Sequence, residues 1–152
     1  MQQAYIEPFL QAGSEVLAAV TGVTATCGAV VPAGRPLMPE RVSIVLGVIG
    51  ALQGQVILSM SEATAAGIAG LMMGMEEAGF DEMAASAVSE LGNMIAGNAA
   101  VLLGQSKLHC DLTPPTIIFG ADVHIALRVP ALMAPLTLPL GVVEIAVSLT
   151  EA

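Results

Sequence analysis

One short segment of the sequence holds a carboxylate and a carboxamide at a spacing that could do chemistry. Residues 86–98 read S-A-V-S-E-L-G-N-M-I-A-G-N and contain both asparagines of the chain, Asn93 and Asn98, with two glycines. Asn and Gly are poor residues for a helix interior, so a helical segment that contains them needs a reason. Glu90 and Asn93 are three residues apart, about 60° around a helix axis, so their side chains would point out side by side.

Other residues that could do chemistry do not form a site. The candidate metal ligands are Cys27, His109, Cys110 and His124. His109 and Cys110 are adjacent on a predicted strand and would point to opposite faces, and no C-x-x-C or H-x-x-x-H spacing is present. There is also no G-x-S-x-G nucleophile elbow and no phosphate-binding glycine loop. We therefore expect no metal site and no cofactor of the protein's own.

Composition bounds the remaining function classes. The 152 residues suit a single domain (1–152), and 55% hydrophobic residues with only 3% aromatics predict an aliphatic core. The net charge is −9 and the four cations are scattered singly, which disfavours nucleic acid as a partner. Charged residues make up 11%, against roughly 25% in typical soluble domains, so we expect an oligomer or a binding partner.

The membrane and the secretory pathway are also disfavoured. The longest uncharged run, residues 42–61, contains two glutamines and a turn-like G-A-L-Q-G, so it predicts two strands rather than a membrane span. The first residues, M-Q-Q-A-Y-I-E-P, lack the basic and apolar regions of a secretion signal, and two cysteines are too few for a disulfide framework. We expect a cytoplasmic protein.

Three helices should position the Glu90–Asn93 pair. Apolar spacing predicts a first helix over residues 3–20 that stops near Gly22, and a second from Ser61 to about Gly74. The third and longest runs from Asp81 to about Gly104. Glu76, Glu77, Asp81 and Glu82 form a predicted acidic turn before it.

Strands are predicted on both sides of the last two helices. The candidate segments are 23–29, a hairpin of 42–48 and 55–60 around residues 50–54, and then 105–112, 116–119, 124–129, a proline-punctuated run to 138, and 142–149. Residues 30–39 read as a loop, and the prolines at 130, 135 and 139 suggest an edge strand or bulges. Helices and strands in blocks indicate an α+β fold with an antiparallel or mixed sheet of about six strands and about three helices.

Helical counting divides the long helix into two sides. The predicted core stripe is Ala84, Val88, Leu91, Ile95, Asn98 and Leu102, flanked by Ala87 and Met94. The opposite side carries Glu82, Ser86, Ser89, Glu90, Asn93, Ala96, Gly97 and Ala100. Such small residues are typical of a helix that enters a partner's cleft, or of one that packs against a second layer of its own domain. Gly92 receives no role.

The same segment resembles the motif of the CheX/CheC family of bacterial chemotaxis phosphatases. In that motif Asp or Ser is followed by three residues and Glu, two residues and Asn, and a Pro about two dozen residues later. The matching positions here are Ser86, Glu90, Asn93 and Pro115, with Pro114 beside the last and the spacing to Pro one residue short of the usual. The predicted order of helices and strands also resembles the family's α+β fold.

The resemblance implies an enzyme that hydrolyses the aspartyl-phosphate of a CheY-type response regulator. It implies that Glu90 pairs with a lysine of the regulator and that Asn93 orients the attacking water. An amide is too weak a base to take a proton, but phosphoryl transfer needs mainly an aligned water. The regulator would supply Mg²⁺ and the phosphorylated Asp.

The resemblance also suggests roles for the neighbouring residues. Ser86, Ser89 and Gly97 would contact the partner, whereas Asn98 is expected to be a buried structural amide and Pro115 a structural residue near the site. The first helix has Ala18 where an asparagine would follow Glu15, so a single active face is expected, as in the CheX type. That type forms homodimers through sheet edges.

Two other functions stay open at the sequence level. A domain of this fold could bind a signalling or flagellar-switch partner without hydrolysis, as a CheC-like interaction domain. A small-ligand sensor is a third possibility, and it would require a closed apolar pocket.

Overall fold

An antiparallel sheet with three helices on one face forms the framework that positions the long helix. The computed structural model describes residues 1–75 and 79–152. The helices are α1 (Gln3–Thr21), α2 (Glu62–Met73) and α3 (Glu82–Gln105). The strands are β1 (Thr26–Cys27), β2 (Val31–Pro32), β3 (Val42–Gly50), β4 (Leu52–Met60), β5 (Cys110–Leu112), β6 (Thr116–Phe119), β7 (Leu132–Leu138) and β8 (Gly141–Glu151). The predicted α+β class is confirmed, with eight strands instead of about six.

The helices begin and end at the residues that the sequence indicated. Ser61 and Asp81 are N-caps whose side chains accept hydrogen bonds from backbone amides in the first turns of α2 and α3. Gly22 and Gly74 end α1 and α2 in the left-handed region, with φ of 75° and 69°. Of the predicted acidic turn, Glu76 and Glu77 lie outside the described residues. Within the described ranges, none of the three helices is both long and apolar enough to span a bilayer.

The strand order is β1-β7-β8-β4-β3-β5, and both edges are interrupted. On one side β1 and β2 both pair with β7; on the other, β5 and β6 both pair with β3. The proline that argued for an edge or a bulge, Pro135, lies on β7 opposite the gap between β1 and β2, where its carbonyl accepts a hydrogen bond from Gly28. The nitrogen and the carbonyl of one strand residue point to the same side, so the nitrogen of Pro135, which lacks a hydrogen, also faces this gap. The pairing of β7 with β8 is therefore kept.

Alternation along the central strands separates a large core from a small one. Inward residues of β3, β4, β7 and β8 meet the helices in one continuous cluster. On the other face, Ile57 and Ala146 pack under Leu37, Leu127 and Ala131.

The segment over this small core was predicted wrongly. Residues 124–129 form no strand and make one isolated bridge, Leu37 to Ile125. Leu127 is buried and Ile125 partly buried against the sheet's outer face, so the pattern that resembled strand pairing reflects one-sided packing instead. The predicted strands 23–29 and 105–112 shrink to Thr26–Cys27 and Cys110–Leu112, and the predicted loop 30–39 contains β2.

The chain repeats one arrangement twice. In the first half α1 is followed by two short strands and the β3–β4 hairpin; in the second, α3 is followed by two short strands and the β7–β8 hairpin. The short strands of each half pair with the hairpin of the other half. Likewise α1 contacts β7 and β8, whereas α3 contacts β3, β5 and β6. The two helices therefore occupy equivalent places on one sheet.

Candidate functional site

The long helix α3 is held against the sheet by a close backbone contact. A Cβ atom on Gly92 would lie 2.8 Å from Cγ2 of Ile44, a fully buried residue of β3. Only glycine lets the helix approach β3 this closely, because a 2.8 Å carbon contact lies well inside the optimal separation. This contact supplies the role for Gly92 that the sequence did not indicate.

The opposite arc of α3 is open to solvent and carries the motif. Ser86, Glu90 and Asn93 are exposed, Ser89 and Gly97 are half-buried, and a Cβ added at Gly97 would have no neighbour within 4 Å. Within residues 1–75 and 79–152, Glu90 and Asn93 therefore do not pack against a second layer. Their side chains lie next to each other on a surface that another molecule can reach.

Helical counting assigned three positions on α3, Asn98, Ala96 and Met94, to the wrong side. Asn98 is exposed, so the prediction of a buried structural amide is wrong, and Ala96 is buried although it was placed on the outer face. The buried residues are Ala84, Val88, Leu91, Gly92, Ile95, Ala96, Ala99 and Leu103. Their arc is centred about 70° from Leu91, on the side of the small residues.

The physical reason lies in the packing of α3. The predicted core stripe was centred on the largest apolar side chains, as is usual for an amphipathic helix. In the structure Gly92, Ala96 and Ala99 bring the backbone close to its neighbours, and this turns Met94 and Asn98 outward. Helical spacing alone could have shown that Met83, Met94 and Val101 share the arc of Glu90, but apolar residues are normally assigned to the core.

The polar pair has no internal partners among the described residues. The ion pair found there joins Arg41 to Glu62, with Nε and Oε2 3.3 Å apart, and does not involve Glu90. The side-chain hydrogen bonds in residues 1–75 and 79–152 likewise include neither Glu90 nor Asn93. A carboxylate and an amide in this state can bind the cation and the water of another molecule without first breaking an internal contact.

The remaining predicted site residue lies away from α3. Pro115 lies between β5 and β6, at the point where pairing with β3 is interrupted. Thr113 bridges this gap: its hydroxyl accepts from the amide of Gly47 at 2.8 Å, and its own amide donates to the carbonyl of Gly47 at 3.0 Å. The structure thus places Pro115 at the sheet edge and not on the exposed arc.

The candidate metal ligands are also dispersed. Cys27 on β1 and Cys110 on β5 are at opposite ends of the strand order.

A cavity of about 620 Å³ lies on the sheet face away from α3. Gln53, Arg128 and Thr150 are exposed and line it beside Ile49 and Val129. It is therefore open to solvent and partly polar, unlike the closed apolar pocket that a small-ligand sensor would need.

Comparison with known proteins connects this geometry to a family. The model of the chemotaxis phosphatase CheX family matches residues 42–140, which is more than half of the chain and includes the motif on α3. The chain belongs to the CheX family. The predicted membership, made from residues 86–98, is confirmed.

Relatives of this CheX-family chain agree in sequence and in fold. The CheY-P phosphatase CheX of Thermotoga maritima is 43% identical over 89 residues, which are 58% of this chain and 57% of that protein. The match thus spans less than two thirds of that relative.

Solved structures match over nearly the whole chain. A chain from the CheX–CheY–BeF₃–Mg²⁺ complex of Borrelia burgdorferi is 32% identical, with a TM-score of 0.83 and 97% and 98% coverage of the two chains. A CheC-like protein from Shewanella has a TM-score of 0.88 at 24% identity, with 99% coverage of both chains, and shares the fold.

Proposed function

We propose that this CheX-family protein hydrolyses the aspartyl-phosphate of a CheY-type response regulator, using the exposed arc of α3. The observation that carries the proposal is the pair of Glu90 and Asn93, exposed side by side on a helix anchored by Gly92 and without partners in the described part of the chain. The phosphatase from Thermotoga and the complex from Borrelia support a phosphorylated CheY as the substrate class.

Glu90 serves in this proposal as the docking group. Its carboxylate pairs with a lysine beside the regulator's phosphorylated Asp, and this ion pair orients α3 in the regulator's active site. An ion pair that becomes desolvated in an interface contributes orientation as well as affinity. The neighbouring residues on this surface are small, so that the regulator's backbone can approach closely; they are Ser86, Ser89 and Gly97.

Asn93 is the residue proposed to act on the reacting atoms. The amide oxygen accepts a hydrogen bond from the attacking water, and the amide nitrogen can donate to a phosphoryl oxygen. Asn93 removes no proton. Because the transition state is loose, alignment of the water with the bond to the leaving Asp is the main requirement. Good alignment of this kind can account for several orders of magnitude in rate.

The metal in this scheme belongs to the substrate. Mg²⁺ would enter with the phosphorylated regulator, and the Borrelia complex, which contains CheY, BeF₃ and Mg²⁺, supports this division. Mg²⁺ in phosphoryl-transfer sites is held by one or two carboxylates together with phosphate oxygens, groups that the phosphorylated regulator brings.

A homodimer through sheet edges is part of the same proposal. Val31 on β2 and Phe119 on β6 are exposed apolar residues at the two opposite edges. Sedimentation velocity should give a dimer for the wild type, and Val31→Lys or Phe119→Lys should shift it to monomer. A wild-type monomer at micromolar concentration would contradict the pairing.

The decisive experiment measures phosphate release. The CheY-type regulators of the same genome are phosphorylated with acetyl phosphate and Mg²⁺, and hydrolysis is followed with and without the protein. Asn93→Ala should lower the accelerated rate about a hundredfold. Asn98→Ala, the same change at the other exposed asparagine of α3, should stay within about twofold of wild type. The proposal fails if wild type accelerates none of these regulators, and a fully active Asn93→Ala variant refutes the role of Asn93.

A further inference from the structure

Large apolar side chains flank Glu90 along the exposed arc of α3. Met83, Met94 and Val101 lie within about 40° of Glu90 around the helix axis, before and after it along the chain. We call these three residues the apolar row. Their exposed fractions are 64%, 36% and 63%.

The alignment of the row distinguishes it from ordinary exposure. Single apolar residues are common on protein surfaces and need no explanation. Here three share one arc with the proposed catalytic pair and extend from Met83 to Val101, about 27 Å along the helix at 1.5 Å per residue. The described core is aliphatic apart from Tyr5 and Phe9. The side chains of the apolar row are of the same aliphatic kind but lie outside this core.

A groove extends the row at its first residue. It lies between the end of α2 and the start of α3, has a volume of about 540 Å³, and is lined by Met73, Glu82, Met83, Ser86 and Ala87. Ser86 is one turn before Glu90, so the groove is continuous with the motif surface. Methionine side chains adapt their shape to an apolar group that packs on them.

Charge indicates what this surface can bind. Glu82 and Glu90 are the charged residues of α3, and both are acidic. A second copy of the chain that packed on the same arc would bring like charges together, which opposes association. The exposed arc of α3 is complementary to a partner surface that has a cation opposite Glu90 and apolar groups on both sides of that cation. A receiver domain with a lysine beside its phosphorylation site would have such a surface.

We propose that the apolar row binds the response regulator and sets its affinity and register, while Asn93 governs the chemical step. This inference rests on the proposed function. The regulator surface then carries apolar side chains on both sides of its phosphorylated pocket, and one of them enters the groove beside Met83.

The test separates binding from chemistry. Met83→Gln, Met94→Gln and Val101→Gln replace apolar groups with an uncharged residue of good helix propensity. Each change should raise the half-saturating regulator concentration about fivefold, and the triple variant about a hundredfold. The rate at saturation should stay within about twofold of wild type, because uniform binding is lost and not transition-state stabilisation. Asn93→Ala should instead lower the rate at saturation and leave the half-saturating regulator concentration nearly unchanged.

A matched triple variant provides the control. Leu71, Ile49 and Val142 are exposed apolar residues outside α3, and changing all three to Gln should leave half-saturation unchanged. If the row variant has wild-type half-saturation while Asn93→Ala shows its expected loss of about a hundredfold in rate, the row proposal is wrong and the proposed function stands. An equal loss in the control triple, or a wild-type dimer that dissociates in the row variant with unchanged kinetics, would also overturn it. If wild type gives no acceleration, the proposed function itself fails.

Discussion

Helices α1 and α3 occupy equivalent places in the two halves of the chain, yet only α3 carries a complete polar pair. Alignment of Glu15 with Glu90 superposes the burial patterns: Phe9, Gly13, Val16 and Leu17 are buried in α1, as are Ala84, Val88, Leu91 and Gly92 in α3. Each helix also places a glycine against the sheet. A Cβ on Gly13 would lie 2.8 Å from Ile145 and from Leu136, as one on Gly92 would from Ile44.

The difference lies on the exposed arcs. Where α3 has Asn93, α1 has Ala18, and the carboxylate of Glu15 already accepts a hydrogen bond from Gln11 at 3.2 Å. The equivalent of Gln11 is Ser86, whose short side chain makes no hydrogen bond to Glu90, so Glu90 has no partner among the residues that the structure describes. One scaffold therefore presents two helices in the same way, and a few side chains on the outer arc distinguish the proposed active helix from its counterpart.

The largest expected difference between the helices concerns their glutamates. Glu90→Ala should lower kcat/KM for the phosphorylated regulator about thirtyfold, because the partner's lysine would be left desolvated and unpaired. Glu15→Ala removes a carboxylate that is also exposed from the equivalent place and should change kcat/KM by less than about twofold. Equal losses for the two variants in phosphate-release assays would mean that α1 takes part in docking.

Two glycines of α3 should respond oppositely to the same substitution. Gly92→Ala gains about 1 kcal/mol of helix propensity but overpacks Ile44, which costs about 1–3 kcal/mol, so a net destabilisation of about 1 kcal/mol is expected. Gly97→Ala meets open space and should stabilise by about 0.5–1 kcal/mol. Urea unfolding measures both, and a stabilised Gly92→Ala protein would show that the helix can withdraw from β3.

Transfer of the polar pair to α1 should restore little activity. Ala18→Asn with Gln11→Ser, made in an Asn93→Ala background, gives α1 an unpartnered Glu15 and an adjacent amide. At the place of Met94, however, α1 has Ala19, so we expect hydrolysis to stay close to the roughly 1% of wild type that Asn93→Ala alone retains, because the binding contacts are absent. Phosphate release is compared with Asn93→Ala alone. Recovery close to wild type would show that the polar pair suffices without the apolar row.

The smallest effect concerns a carboxylate outside both helices. Burial on β8, and the nearby Glu40, raise the pKa of Glu144 above its ordinary value. The folded state thus favours the neutral form, so stability is greater at acid pH and falls as the pH rises through the raised pKa. Glu144→Gln should stabilise the protein at neutral pH and have no effect well below pH 4, with hydrolysis unchanged. Thermal unfolding at both pH values checks this, and a variant less stable at neutral pH would contradict it.

Local signals in the sequence predicted much of this structure. The caps Ser61 and Asp81 and the glycines at 22 and 74 locate the helix ends, since each satisfies backbone groups within its own turn. The β3–β4 hairpin follows from alternating apolar residues around a glycine-rich turn. The segment over 124–129 could not be distinguished from a strand, because one-sided packing and strand pairing give the same alternation.

For the candidate site, the sequence determined that Glu90 and Asn93 are neighbours on a helix, since three-residue spacing is a local property of helical geometry. Which arc of that helix is buried was decided only by the tertiary structure. The close contact of Gly92 with Ile44 places the small residues inward and turns Met94 and Asn98 outward. A helix sequence defines the order of its faces, but its rotation about its own axis depends on how closely each face can approach the partner surface, and that surface is formed by residues distant in the chain.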